Sequence, residues 1–298
     1  MSDGRVTVVI ATRNRRAELL DTLARKTALP KRPPVIVADN ALTRLDPRAV
    51  ADRFGQVTLL PCDRYLGAVA RNLAVRRVAT PYVAFCDDDT CWQPGALRGA
   101  ADLLDAHPLL ASVTGRILVA PDLVEDPITP ELRGSPVPRP PWLPGPALLS
   151  VLAGATMVRV TAFREAGGFS PRLWLGGEEE LLALDLAARG WWMCWTDDVV
   201  VQHAPSPLRE PRRRRQLGIR NTLWTAWLRR PLPGALRHTG WVLRSLPRDR
   251  ASLAAVAEAL GGLRWVLRER RVIPPEVERG LRLLEAPRRR SVARRYVG

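Results

Sequence analysis

"VTVVIATRNRRAELLDTLARKTAL" spans residues 6–29 and decides the fold. Its opening, Val6 to Ala11, is a continuous β-branched and apolar run, the pattern of a strand buried on both faces. Residues 15–29 then repeat apolar positions at helical spacing. Between them stands polar Thr12-Arg13-Asn14. The same alternation continues. Strands are predicted at 34–40, 56–62, 81–86 and 109–119, and helices at 46–55, 66–78 and 94–107. Repeated strand–helix units imply an α/β fold, a mostly parallel twisted sheet flanked by helices.

In such sheets ligands bind beyond the carboxyl ends of the strands. Three predicted strand ends are polar in a way a core does not require: Thr12-Arg13-Asn14, Asp39-Asn40 and Asp87-Asp88-Asp89. Each alone reads equally as a turn or helix cap. Three at one edge favour a site. Adjacent carboxylates repel unless a cation sits among them, and hard divalent ions such as Mg²⁺ or Mn²⁺ prefer such oxygen ligands. The alternative for this triplet is a solvated turn.

The chain has 298 residues, 46% hydrophobic and 26% charged, as in ordinary globular proteins. Its net charge is +16, with Lys+Arg 46 against Asp+Glu 30. Arginine suits phosphate-bearing partners, but a GC-rich coding bias also enriches it, so only its placement informs. No recognisable nucleic-acid reader motif accompanies the charge, so no nucleic-acid partner is expected. The four cysteines, Cys62, Cys86, Cys91 and Cys194, form no CxxC pair and read as free, mostly buried thiols in a reducing cytoplasm. Cys86 and Cys91 flank the acidic triplet but lack zinc-like partners. Residues 1–16 lack a signal-peptide layout, and the longest uncharged apolar run, 146–158, is too short to span a bilayer.

Residues 121–146 are proline-dense and read as a long surface loop or lid. Residues 160–169 read as a short helix and glycine turn, 176–190 as a helix with an acidic first turn, and 191–206 as a strand pair. Beyond about residue 211 the chain becomes helical and arginine-rich. Leu253, Val256, Leu260, Leu263 and Leu267 recur at spacings of three and four, an apolar stripe of the kind that usually packs in a core. The expected layout is a catalytic unit over 1–210 and a basic helical extension over 211–298. Within the first lie a donor half (about 1–120), the proline-rich loop and an acceptor half (about 147–210).

"VTVVIATRNR", "VIVADNALT", "YLGAVARNLA", "FCDDDT", "FREAGGF" and "GGEEELLALDLAARGW" resemble, in order and rough spacing, the family 2 glycosyltransferases of GT-A fold, over about residues 5–230. The resemblance implies an inverting transfer of a sugar from a nucleotide sugar (UDP-, GDP- or dTDP-linked) to a glycan or lipid-linked hydroxyl in cell-envelope synthesis. Ala11, Thr12 and Arg13 would line the nucleotide pocket, Asp39 would read the base and Arg71 would close the pocket. Asp87 and Asp89 would be the outer carboxylates of the DXD motif around Asp88, with Asp89 a ligand of Mn²⁺ or Mg²⁺ and Asp87 on the ribose or near the metal. His203 would stand near metal or diphosphate, and Arg209 and Arg213 near phosphate. Gly154 and residues Trp174 to Gly177 would border the acceptor. Glu179, with Glu178 before it, would be the general base.

The family often has Asp at position 179, and an Arg where this chain has Asp185. Read alone, Glu178, Glu179 and Glu180 are equally a first helical turn complementing the macrodipole. Outside the resemblance, Trp241, Trp265 and the tail "PRRRSVARRYVG" (287–298) suggest contact with a membrane surface, which would make the protein peripheral on the inner face of the cell membrane. Packing on the catalytic unit is the alternative. Two further readings remain open: a non-catalytic sugar-nucleotide or glycan-binding relative, and a nucleotidyltransferase of similar fold. The latter lacks its glycine-rich loop, since "ATRNRR" stands at that place (11–16).

Overall fold

The computed structural model describes residues 4–27, 33–40, 46–205 and 211–291. The first half alternates as expected: β1 (Val6–Thr12), α1 (Arg16–Thr27), β2 (Val35–Asp39), α2 (Pro47–Phe54), β3 (Val57–Pro61), α3 (Val69–Val75), β4 (Tyr82–Asp87), β5 (Thr90–Trp92), α4 (Ala96–Ala106) and β6 (Leu110–Val119). The second half is β7 (Val124–Glu125), α5 (Thr129–Arg133), β8 (Thr156–Arg159), α6 (Val160–Glu165), α7 (Glu178–Ala187) and β9 (Trp192–His203). The extension is α8 (Pro211–Arg229), α9 (Leu232–Ser245), α10 (Arg250–Gly261), α11 (Leu263–Arg268) and α12 (Pro275–Arg290).

One mixed sheet runs β3-β2-β1-β4-β8-β6-β9-β5, with β7 beside β6. The N-terminal part of the sheet is parallel: β1 pairs with β2 and β4, and β2 with β3. Strand β8 runs antiparallel between β4 and β6. Because side chains alternate along a strand, Val9 joins an apolar cluster with Phe85, Phe163 and Phe169 on one face, while Val8 and Ile10 join Leu19, Leu23 and Leu104 on the other. The three phenylalanine rings lie 5.4–5.5 Å apart. All four cysteines are free, and three of them are buried.

Three features differ from the sequence reading. Residues 191–206 do not form a strand pair, because β9 is one continuous strand. Asp197-Asp198 looks like a hairpin turn, but the chain bulges there and resumes its direction. Thr114 pairs with Trp195 and Arg116 with Val200, so residues 196–199 oppose Gly115 alone. A Cβ on Gly115 would meet the Val199 carbonyl at 2.5 Å. Secondly, the proline-rich segment is not a free surface loop. It forms α5, buries Leu132 and Leu143, and bridges Val137 to Ala147, which in turn bridges Cys194. Prolines carry no amide hydrogen, so such a segment packs with few donors left to satisfy.

Thirdly, the leucines of the apolar stripe stay outside the core, and only Val256 of that stripe packs against it. Leu253, Leu260 and Leu267 are 71%, 66% and 52% exposed. Small residues, Ala255 and Ala259, take the inward positions of α10 and join Ile219, Leu223 and Trp224 in a third apolar cluster. The extension is tied to α7 by ion pairs. Asp185 takes both ends of the Arg229 guanidinium fork at 2.6 and 3.0 Å, and Arg288 meets Glu180 at 2.8 Å. Arg230, itself buried, bonds Glu278 at 3.0 and 2.8 Å and Glu285 at 2.7 Å. Ile273, Val277 and Leu281 join the same apolar cluster as Val9. Among the described residues no helix is long and apolar enough to cross a membrane.

Replacing Gly115 by alanine drives a methyl group into the Val199 carbonyl. Overpacking of this kind costs about 1–3 kcal/mol. Thermal melts of Gly115→Ala should therefore show a clear drop in Tm, and an unchanged Tm would show that the bulge relaxes freely.

Candidate active site

The parallel register sets the floor of the site. Thr12 stands opposite Asp39, and Ala11 opposite Asp87, so the carboxyl ends of β1, β2 and β4 share one edge. Asn40 then fixes the neighbouring loop, its side chain donating to the Gly67 carbonyl at 2.8 Å and accepting the Leu66 amide at 2.7 Å. Arg13 is exposed and lays its guanidinium 3.9 Å over the Tyr65 ring. Tyr65 in turn meets Trp174 edge-on, with ring centres 4.8 Å apart. Trp174 holds a left-handed backbone (φ 65°) that a bulky residue rarely adopts. Its carbonyl accepts the Ala68 amide at 2.8 Å, an approach close enough that a Cβ on Gly67 would collide with that carbonyl.

The three aspartates part company. Asp87 turns to Arg71 and keeps 41% of its side chain exposed. Asp88 turns inward, accepting Thr12 Oγ1–H and one Arg15 N–H, each at 2.8 Å. Burial pushes the Asp88 carboxyl up to about 6, against the pull of Arg15 and Thr12. Asp89 accepts the same Arg15 nitrogen at 3.1 Å, and its other oxygen lies 3.8 Å from His203 Nε2. Strand β5 creates this last approach, since Thr90 pairs with His203. Thus Arg15 supplies part of the positive charge that the triplet demands.

The three glutamates also divide. Gly176 and Gly177 take left-handed φ of 82° and 84°, turning the chain sharply into α7. Glu178 is buried, and its Oε2 has no hydrogen-bond partner among the described residues. Glu179 accepts the Ala153 amide at 2.5 Å. Burial and the neighbouring Glu178 charge push the Glu179 carboxyl up to about 8, while burial also raises Glu178. Glu180 is engaged by Arg288. Burial opposes the charge on Arg71, but Asp87, Glu179 and Glu178 outweigh it and raise its pKa. Gly154 completes the cluster, for a Cβ there would sit 3.2 Å from Asp87 Oδ2. Asp87, Arg71, Gly154, Glu178 and Glu179 therefore meet at one place, though they come from four separate stretches of chain.

Behind the glutamates, Asn221 on α8 holds the 173–176 turn. Its amide donates to the carbonyls of Leu173 (2.8 Å), Leu175 (3.0 Å) and Gly176. Arg220 also donates to Leu173 O, at 3.2 Å. Arg213 pairs with Glu258 on α10 at 2.9 Å. Arg209 and residues 292–298 lie outside the described residues. Sequence reasoning gave no role to Arg15, Tyr65, Asn221 or the Ala153 amide. Arg15 lay inside the quoted "ATRNR" stretch, and its signal was a cation one helix start away from three carboxylates.

Among the described residues no three ligating side chains gather closely enough to hold a metal by themselves. Asp89 and His203 are the nearest ligand pair. Two protein ligands suit an ion that keeps waters and shares phosphate oxygens with its substrate.

The glycosyl transferase family 2 model matches residues 7–163. The chain belongs to glycosyl transferase family 2. This family 2 transferase is 28% identical to an N-acetylglucosaminyl-diphospho-decaprenol L-rhamnosyltransferase of Mycobacterium tuberculosis, across 74% of this chain and 84% of the relative. In fold it is similar to the mannosyltransferase PcManGT from Pyrobaculum calidifontis in complex with GDP-Man and Mn²⁺ (TM-score 0.59, 20% identity, 98% of this chain and 84% of that one). It is also similar to Staphylococcus aureus TarS 1–349 in complex with UDP-GlcNAc (TM-score 0.55, 13% identity, 89% and 90%). The matched family region ends before α7, so the glutamate cluster lies beyond it.

The raised Glu179 carboxyl has a consequence for stability. The folded transferase keeps a proton that the unfolded chain releases above about 4.5, so this contribution falls as pH rises from there to about 8. Asp88 acts in the same sense over a narrower range, up to about 6. Without added metal, Tm should fall between these limits, and Glu179→Gln should flatten the fall above pH 6. An identical slope in the variant would place the Glu179 pKa in the ordinary range.

Proposed function

We propose that this transferase moves a sugar with inversion from a nucleotide-sugar donor to an acceptor hydroxyl, with Glu179 as general base. The observation that carries the reading is the division of the glutamates. Glu178 is buried, Glu180 is partly exposed but held by Arg288, and Glu179, also partly exposed, carries no ion pair among the described residues and stands beside Arg71 and Asp87. To take a proton Glu179 must first be ionised. Arg71 favours that form and Glu178 opposes it, which sets the carboxyl to work near neutral to mildly alkaline pH.

Donor binding is assigned to the edge formed by Ala11, Thr12, Arg13 and Asp39, with Tyr65 as its aromatic wall. Thr12 contributes through the frame, since its hydroxyl is spent on Asp88. Asp88 likewise acts by holding Arg15 and the strand ends. Asp89 and His203, with Asp87 nearby, would hold Mn²⁺ or Mg²⁺. Such an ion neutralises charge on a departing diphosphate. Arg71 holds Asp87 at the mouth of the cleft. Gly154, Trp174 and Gly177 border the acceptor side, the two glycines letting Asp87 and Asn221 approach the chain closely. A lipid-linked acceptor in cell-envelope synthesis is supported by the name of the mycobacterial relative, and a GDP or UDP donor with Mn²⁺ by the complexes of the fold neighbours. That acceptor implies work at the cytoplasmic surface of the membrane.

Thermal-shift screening of UDP-, GDP- and dTDP-sugars should find one donor class whose stabilisation grows with Mn²⁺, and Asp89→Ala should abolish that gain. With that donor and a lipid-linked acceptor, Glu179→Gln should keep donor affinity while turnover drops by about 10²–10⁴-fold. Full turnover in the variant would move the base elsewhere.

A further inference from the structure

The outer face of α10 and α11 is unusual in what it omits. Between Arg248 and Arg268 the exposed residues are Arg248, Arg250, Leu253, Ala257, Leu260, Gly261, Leu263, Arg264, Leu267 and Arg268. The two carboxylates in this span turn away: Asp249 caps α10 and pairs with Arg215, and Glu258 is taken by Arg213 and Arg220. None of Arg248, Arg250, Arg264 and Arg268 forms an ion pair among the described residues. Glu269, just past the end of the span, is paired with Arg172. The solvent face is thus leucine and unneutralised arginine, while small residues, Ala255 and Ala259, face α8. An ordinary surface helix reverses that order.

We propose that this face docks in the headgroup layer of an anionic membrane, with the leucines reaching the acyl boundary and the arginines on lipid phosphates. Charge chooses the occupant. A two-fold contact between copies would lay this patch on itself and oppose cation to cation. A nucleic acid would neutralise the arginines and gain nothing from Leu253 and Leu260. An anionic leaflet satisfies both components at once. Position agrees as well: Glu258, on the inner side of α10, binds Arg220, which binds the turn ahead of Glu178. The docking face therefore lies one helix away from the acceptor-side turn. The inference does not depend on the donor, the metal or the base.

Sedimentation of the full chain with vesicles tests it. Binding should be strong to phosphatidylcholine mixed with phosphatidylglycerol, weak to phosphatidylcholine alone, and reduced by salt. Leu253→Gln with Leu260→Gln, and separately Arg264→Glu with Arg268→Glu, should each weaken binding by about tenfold or more. Melting temperature should stay unchanged, because these side chains are exposed. Failure of the intact protein to pellet overturns the proposal, as does equal pelleting with both vesicle types. A leucine variant that changes oligomeric state without losing vesicle binding assigns the face to a second copy. A protein that binds DNA fragments through these arginines but ignores vesicles assigns it to nucleic acid.

Discussion

Everything at the cleft depends on like charges being held together by guanidinium groups. Arg15 places one nitrogen between Asp88 and Asp89, and Arg71 faces Asp87 with Glu178 and Glu179 behind it. These five carboxylates would otherwise ionise only at the cost of mutual repulsion in a partly dry site. The two arginines do not neutralise the site completely. Burial above all keeps Asp88 and Glu179 shifted toward the protonated form despite the arginines.

The neutral frame is as specific as the charges. Tyr65 touches Arg13 on one side and Trp174 on the other, so the end of β1 and the turn ahead of α7 share one wall. Asn221 reaches from the extension to the turn that launches α7. The direction in which Glu178 and Glu179 point is therefore set partly by a helix outside the sheet. Asp185, where the family resemblance led one to expect arginine, anchors α7 to Arg229 instead.

Much of this was readable in the sequence because local pattern reports local environment. Val6 to Ala11 had to be a buried strand, and polar residues at successive strand ends had to collect at one edge once the strands ran parallel. The failures came where distant partners decide. Asp197-Asp198 has the composition of a turn, but Gly115 on another strand absorbs the extra residues as a bulge. The proline-rich segment looked like a lid, and packing of Leu132 and Leu143 overrode its composition. The leucine stripe obeyed helical periodicity yet faced outward, because periodicity finds a face without saying what covers it. Among the three glutamates, only the positions of Arg288 and the Ala153 amide separate one role from another.

The placement of α12 bears on how the chain folds. Its side chains Val277 and Leu281 complete the apolar cluster that also contains Val9 of the first strand. Helices α3, α6 and α7 cover the same face through Ala70, Phe163 and Leu182, and α12, which follows them in the chain, adds the last contacts of that cluster. The first strand and α12 are thus joined in one cluster across more than 260 residues of chain, a long-range contact that closes late in folding.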